Sequence, residues 1–272
     1  EDVIIIKNQM KLYTDKAIYF PQINKVFLVD DVKMYDSGDS LFCDSLILYD
    51  TEYKTFEALK NVHFYQSTNE IICGKLKYET LQDTSKKLIK IFDNGEIIDS
   101  QRKIRGDSIY IHYENSLIKH INILSNGEIF NYKYAKINID NKSQLIEDYI
   151  SSKEMSMNFF DEDSLHINLK GMAITKFNVV QDTLLEGLNQ ASGDSITIDM
   201  KDDIIYRMQI VGGAEGQFVP EKNNSRIDST IIYRAEYIDY LIKDEKSYLI
   251  DNAYLDYDFT ELNSGKIFVD WK

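Results

Sequence analysis

Apolar and polar residues alternate along most of this chain. Between Ala191 and Val211, Ile196, Ile198 and Met200 alternate with Thr197, Asp199 and Lys201. After Asp202-Asp203, the residues Ile204, Tyr206, Met208 and Ile210 alternate with Ile205, Arg207 and Gln209. A period of two is the signature of a strand. Two such runs around a short polar turn predict a hairpin with one mostly apolar face and one mixed face. The unit opens with Gly193-Asp194-Ser195-Ile196 and closes with Gly212-Gly213-Ala214. Its opening recurs: Gly106-Asp107-Ser108 leads into Ile109 and Ile111, and Cys43-Asp44-Ser45 leads into Leu46 and Leu48. Closing signals recur as well, at Asp31-Val32, Asn61-Val62, Gly95-Glu96, Gly127-Glu128, Gly171-Met172 and Asp251-Asn252. They fall roughly thirty residues apart in the first half and roughly forty in the second, a spacing that predicts stacked repeats, each covering its neighbour's apolar face.

The expected fold is therefore all-β, built of stacked antiparallel hairpins, with at most one or two short helices. We expect one continuous array over residues 1–272, with sub-units 1–134 and 135–272. The helices are predicted at Gln144 to Ile150, where Leu145, Ile146, Tyr149 and Ile150 have helical spacing, and at Asp182 to Asn189, where Asp182 is placed to cap.

Composition supports strands: the chain has 19 Tyr and only 2 Pro. The formal charge of -14 argues against nucleic acid as a partner, because phosphate binding is driven by Lys and Arg. A basic stretch, Lys86, Lys87, Lys90, Arg102, Lys103 and Arg105, reads as solvated charge that blocks strand edges. No apolar run approaches the roughly 20 residues of a membrane-spanning helix. The chain starts at Glu1 without Met and stops just after a strand, so we expect an excised piece whose compartment no leader reveals. Cys43 and Cys73 each sit beside a repeat-opening position, so neighbouring strands and a disulfide are one reading in an oxidising compartment. Two small buried apolar side chains are the other.

Candidate chemistry is sparse. Gly38-Asp39-Ser40-Leu41 spells the nucleophile motif of GDSL-type esterases, and Asp163-Ser164-Leu165-His166 matches the motif that supplies the rest of their triad. That chemistry needs a strand-to-helix turn after Ser40, whereas Leu46 and Leu48 continue a strand. The four His, at 63, 112, 120 and 166, lack metal spacing, no glycine-rich phosphate loop precedes a helix, and the acidic pairs fall at turns. No cofactor or metal is expected. What remains is the apolar face itself: Leu46, Leu48, Ile109, Ile111, Ile196, Ile198, Met200, Tyr206, Met208 and Ile210 are the candidate lining of an apolar interior. Periodicity leaves two readings of that interior open, a groove for alkyl chains or a core filled by side chains, as in a structural β-solenoid or adhesin-like repeat.

The repeat resembles the OstA-like family. The resemblance rests on Gly38-Asp39-Ser40-Leu41-Phe42-Cys43-Asp44-Ser45-Leu46 followed by Tyr49-Asp50, on Phe56-Glu57-Ala58-Leu59-Lys60-Asn61-Val62, and on Ile104-Arg105-Gly106-Asp107-Ser108 with Ala191-Ser192-Gly193-Asp194. The family includes the periplasmic lipopolysaccharide-transport bridge protein LptA and the N-terminal domain of the outer-membrane assembly protein LptD. The resemblance implies an elongated, twisted β-jellyroll in the periplasm that shields the acyl chains of lipopolysaccharide. It further implies joining to other Lpt-type β-jellyroll proteins by end-to-end strand pairing, and no catalytic residues. A C-terminal barrel beyond Lys272 is one form such a chain takes.

Overall fold

Long strands, each kinked near its middle, are what the alternation builds. The computed structural model describes residues 3–49, 55–66, 68–81, 85–137, 143–160, 164–181, 183–202, 204–222 and 227–271. Two compact units, Glu1–Ser125 and Asn126–Lys272, divide the chain. Among the described residues the regular structure is strand, apart from the single 3-10 turns Pro21–Ile23 and Ile242–Asp244.

The first unit holds β1 (Val3–Lys7), β2 (Met10–Thr14), β3 (Lys16–Phe20), β4 (Lys25–Asp36), β5 (Asp39–Leu48), β6 (Thr55–Gln66), β7 (Asn69–Thr80), β8 (Lys86–Ile98), β9 (Arg102–Glu114) and β10 (Leu117–Ile123). From β4 onward each strand pairs antiparallel with the next. Between Val29↔Ser45 and Val32↔Cys43, the two residues Asp30 and Asp31 of β4 face the single residue Asp44 of β5. Two residues against one is a β-bulge, which bends its strand. Both Asp30 and Asp31 are left-handed, with φ of 66° and 47°. The device repeats with Lys60-Asn61 of β6 against Gly74 of β7, and with Asp93-Asn94 of β8 against Asp107 of β9. Asp, Asn and Gly tolerate left-handed backbone best, which accounts for most of the residues chosen.

Each corner separates two limbs whose inward residues line up across the strands. On one limb the pairing runs Leu28, Leu46, Ala58, Leu76, Ile91, Ile109, Ile123, and on the other Leu12, Met34, Leu41, Phe64, Ile71, Ile97, Ile104. All fourteen are buried.

The second unit repeats this grammar with longer limbs. It holds β11 (Gly127–Lys136), β12 (Ser143–Ser152), β13 (Glu154–Phe159), β14 (Ser164–Gln181), β15 (Leu184–Lys201), β16 (Ile204–Pro220), β17 (Ile231–Leu241), β18 (Lys246–Tyr257) and β19 (Thr260–Asp270). Its corners set Gly171-Met172 against Asp194, Gly212-Gly213 against Glu236, and Asp251-Asn252 against Gly265. The limbs fold onto one another. Tyr233 and Tyr240 lie on the two limbs of β17, roughly 23 Å apart if the strand were straight. Their ring centroids are 5.7 Å apart. Thr175 Oγ1, past the corner of β14, lies 3.9 Å from Met208 Sδ, before the corner of β16.

Three expectations change. Apart from Gly127-Glu128, which opens β11, the closing signals lie at corners inside strands rather than at ends of hairpins. Gln144 to Ile150 is strand β12, with Ile146 and Ile150 inward and Leu145 outward at 57% exposure. Inward Asp148 sits between them, accepting a hydrogen bond from Lys133 Nζ at 2.6 Å and from the Asn178 backbone at 2.8 Å, so the period is two. Asp182 lies outside the described residues, and the segment from Leu184 to Asn189 is the start of β15, paired to β14 and β16. The basic stretch is not an edge either. Lys90 meets Glu79 at 3.0 Å, Lys103 and Arg105 meet Glu96 at 2.8 Å, and Lys86 meets Glu114 at 3.5 Å on strands paired on both sides.

Candidate functional site

The folding-over of the second unit leaves space between its limbs. In unit 1 the limb of β4 beyond its corner ends at Asp36, whereas in unit 2 the corresponding limb of β14 runs from Ala173 to Gln181. Four extra residues add about 13 Å at strand rise. A cleft of 310 Å³ lies at this extension. Val180, Phe218 and Tyr233 wall it from one limb, and Tyr240, Ser247 and Trp271 from the other. A neighbouring cleft of 570 Å³ shares Ile227 and Trp271 and is bounded by Ile231, Leu255 and Val269.

Glycines under the aromatic walls set their position. A Cβ at Gly216 would collide with the Tyr233 ring, and one at Gly187 would stand 2.6 Å from Phe218 Cζ. The bare backbone therefore lets both rings lie against the sheet. Polar groups in the wall are mostly committed. Tyr233 Oη donates to Asn189 Oδ1 at 2.6 Å, and Trp271 Nε1 donates to the buried Ser247 Oγ at 2.8 Å. Tyr240 Oη is buried beside the Tyr233 and Asn189 side chains. Burial pushes the Tyr240 phenol well above its ordinary range, so the hydroxyl stays protonated.

The ten residues singled out from the sequence fall elsewhere. Leu46, Leu48, Ile109, Ile111, Ile196, Ile198, Met208 and Ile210 are all at or below 1% exposure, and Met200 is half-buried. Each set lies within its own unit: in the second, Ile196 pairs with Ile210 and Ile198 with Met208, and Met208 pairs with Tyr240. Tyr206 is 43% exposed and does not face inward. Pairing passes from Asp199↔Arg207 to Met200↔Ile205, so Tyr206 is an extra residue in a bulge and the alternation loses phase there. The cleft residues Phe218, Tyr233, Tyr240 and Trp271 were missed. Their only signal in the sequence is a glycine beside a ring, Gly216 opposite Tyr233 and Gly187 against the edge of Phe218.

Residues 1–122 match the model of the family described as OstA-like protein. Those residues are OstA-like in sequence. No curated protein and no solved structure matches the chain. The OstA-like family is associated with lipopolysaccharide transport.

The remaining candidates resolve as follows in the two units. Cys43 and Cys73 are free thiols at the inner corner. They lie on β5 and β7, with β6 between them. Two strand spacings, about 10 Å, exceed the roughly 7 Å limit for a disulfide. Positions inside the corner are small throughout: Val32, Cys43, Val62, Cys73, Gly95 and Gly106. Ser40 lies in β5, paired to Tyr35 and Tyr65, so the strand-to-helix turn of an esterase is missing. Asp163 lies outside the described residues, and His166 pairs with Asp199 at 2.5 Å across β14 and β15. The Gly-Asp-Ser repeats at 106 and 193 are corner residues. Among the described residues no group of three or more His, Cys, Asp or Glu is placed to hold a metal, and no helix is long and apolar enough to cross a membrane.

Proposed function

We propose that this chain is a periplasmic lipopolysaccharide-transport module that shelters acyl chains between the limbs of its folded strands. The observation that carries this reading is the apolar cleft between the limbs of the second unit, in a chain whose residues 1–122 are OstA-like in sequence. An acyl chain entering such a space gains about 0.8 kcal/mol per methylene buried, and the sugar and phosphate groups stay in water. End-to-end strand pairing with other Lpt-type β-jellyroll proteins belongs to the same proposal, as does a role as bridge or as N-terminal docking domain. A photoreactive phenylalanine at Phe218 should crosslink lipopolysaccharide. Crosslinking confined to outward positions such as Lys201 or Arg207 overturns the reading.

A filled structural core is the second reading. Complete burial of Leu46, Leu48, Ile109 and Ile111 favours it for the first unit, where lipid enters only if the limbs part.

A further inference from the structure

We infer that the outer face of the second unit carries a saccharide site, a groove across β14, β15, β16 and β17 past their corners, in which Glu215, Gln190 and Gln217 hold the hydroxyls of a short oligosaccharide. The groove lies on the opposite face of these strands from the apolar cleft and does not rest on the acyl-sheltering reading.

Register brings the groups together. Ser192, Glu215 and Arg234 face one another on β15, β16 and β17, and Lys176, Gln190 and Gln217 do so on β14, β15 and β16. These positions alternate with the buried Thr175, Ala191 and Tyr233, so they point outward. All six line one groove of 330 Å³, the volume of about ten waters and enough for a short saccharide.

The charges in this groove are arranged unlike those elsewhere. On the other limb of the same strands Arg207 grips Asp239 at 2.8 Å, and in the first unit Lys75 grips Glu57. In the groove Glu215 faces Arg234 directly across the ladder, yet the guanidinium lies over the Tyr254 ring, 5.3 Å from its centroid. The Glu215 carboxylate is in no ion pair among the described residues. Lys176 is likewise drawn away, to the Tyr149 ring on β12 at 5.8 Å. The two cations therefore stand at opposite rims, held by aromatic faces. Between them Gln217 Nε2 donates to Gln190 Oε1 at 3.4 Å, which leaves the Gln190 amide N–H groups, Gln217 Oε1, the Ser192 hydroxyl and the Glu215 carboxylate for a ligand.

Donors and acceptors thus converge together, and a sugar hydroxyl, which both donates and accepts, satisfies such a mixed set. A phosphate only accepts, and here its charge would stand beside Glu215. A peptide strand finds no backbone edge to join, because β15 and β16 are paired on both sides. Ile174 and Ile232 at the margins supply apolar contact for the C–H face of a sugar ring.

Saturation-transfer NMR on the whole chain tests the site, with maltotriose, chitotriose and the lipid-free oligosaccharide of lipopolysaccharide as probes. At least one should bind saturably. Glu215→Gln should weaken that binding at least about fivefold, and Gln190→Ala with Gln217→Ala about tenfold. Both variants change outward side chains and should keep the urea midpoint of the parent, and crosslinking of lipopolysaccharide at Phe218 should be unchanged in them. Binding by the lipid-free oligosaccharide alone supports the site and names lipopolysaccharide as the source of the sugar; binding by maltotriose or chitotriose supports it with a separate glycan. No transfer to any probe, binding unaltered in both variants, or displacement of the sugar by equimolar inorganic phosphate overturns the saccharide site, whatever the outcome at Phe218.

Discussion

A corner in a strand demands small residues inside it, and that demand explains the cysteines. At Gly193 a Cβ would stand 2.5 Å from Ile210 Cγ2, and at Gly106 it would collide with Ile123. Cys73 and Cys43 fill the same kind of position one and two repeats before Gly106, as compact apolar groups. Burial pushes both thiols up to about 12. The thiolate is the reactive form, so little is present near neutral pH, though the thiolate that remains is a stronger nucleophile. Allowing for both, alkylation of the native protein should run at least about thirtyfold slower than that of the unfolded chain. Mass spectrometry after iodoacetamide should find both thiols unmodified in the folded protein and both modified in urea without reductant. Prompt labelling, or absence of free thiols in urea, contradicts the corner placement.

Among elements, the outer face of the first unit is held by charge as the inner face is by apolar burial. Burial alone would raise the carboxyls of Glu57, Glu79 and Glu96, but hydrogen bonds and charge from Lys75, from Lys77 and Lys90, and from Lys103 and Arg105 outweigh it. All three are held below the ordinary 4.5. A carboxyl lowered on folding stabilises the fold above its unfolded value and loses that contribution as pH falls through its folded value. Each pair contributes about 0.2–1 kcal/mol. The urea midpoint should therefore hold at neutral pH and fall below about pH 4.5, and Glu79→Gln with Glu96→Gln should flatten that fall. A midpoint that ignores pH between 7 and 3.5 would place these pairs in solvent. At the same scale, the period of two and the recurring Gly-Asp-Ser were legible because burial on one face and left-handed backbone both restrict residue choice. Tyr206 was not, because a bulge shifts phase without any Gly or Pro to mark it. Neither was β12: Leu145 and Tyr149 are apolar enough to mimic a helical stripe, yet face outward. The cleft depends on the distance between limbs, which no single strand's pattern encodes.

On the scale of the whole molecule the two repeat lengths and the net charge both bear on lipid. Corners spaced more widely in the second half reflect strands of 18 residues in β14 and β15 against 12 in β4 and β6, and the cleft lies where the extra length is. The charge of -14 sets a further constraint, because lipopolysaccharide is itself anionic. If lysines gripped its phosphates, binding would collapse as salt rose. The lysines of the first unit's outer face are instead engaged by glutamates, as in Lys75 with Glu57 and Lys77 with Glu79. Affinity drawn from acyl burial is indifferent to screening, and long-range repulsion between two anionic bodies is relieved by it. Raising sodium chloride from about 0.05 to 0.5 M shortens the screening length from roughly 14 to 4 Å. Lipopolysaccharide binding, followed by Trp271 emission, should strengthen modestly or stay constant over that range, with faster association. A steep loss of affinity with salt would mean that headgroup contacts dominate, and acyl sheltering between the limbs would then be the wrong mechanism for this chain.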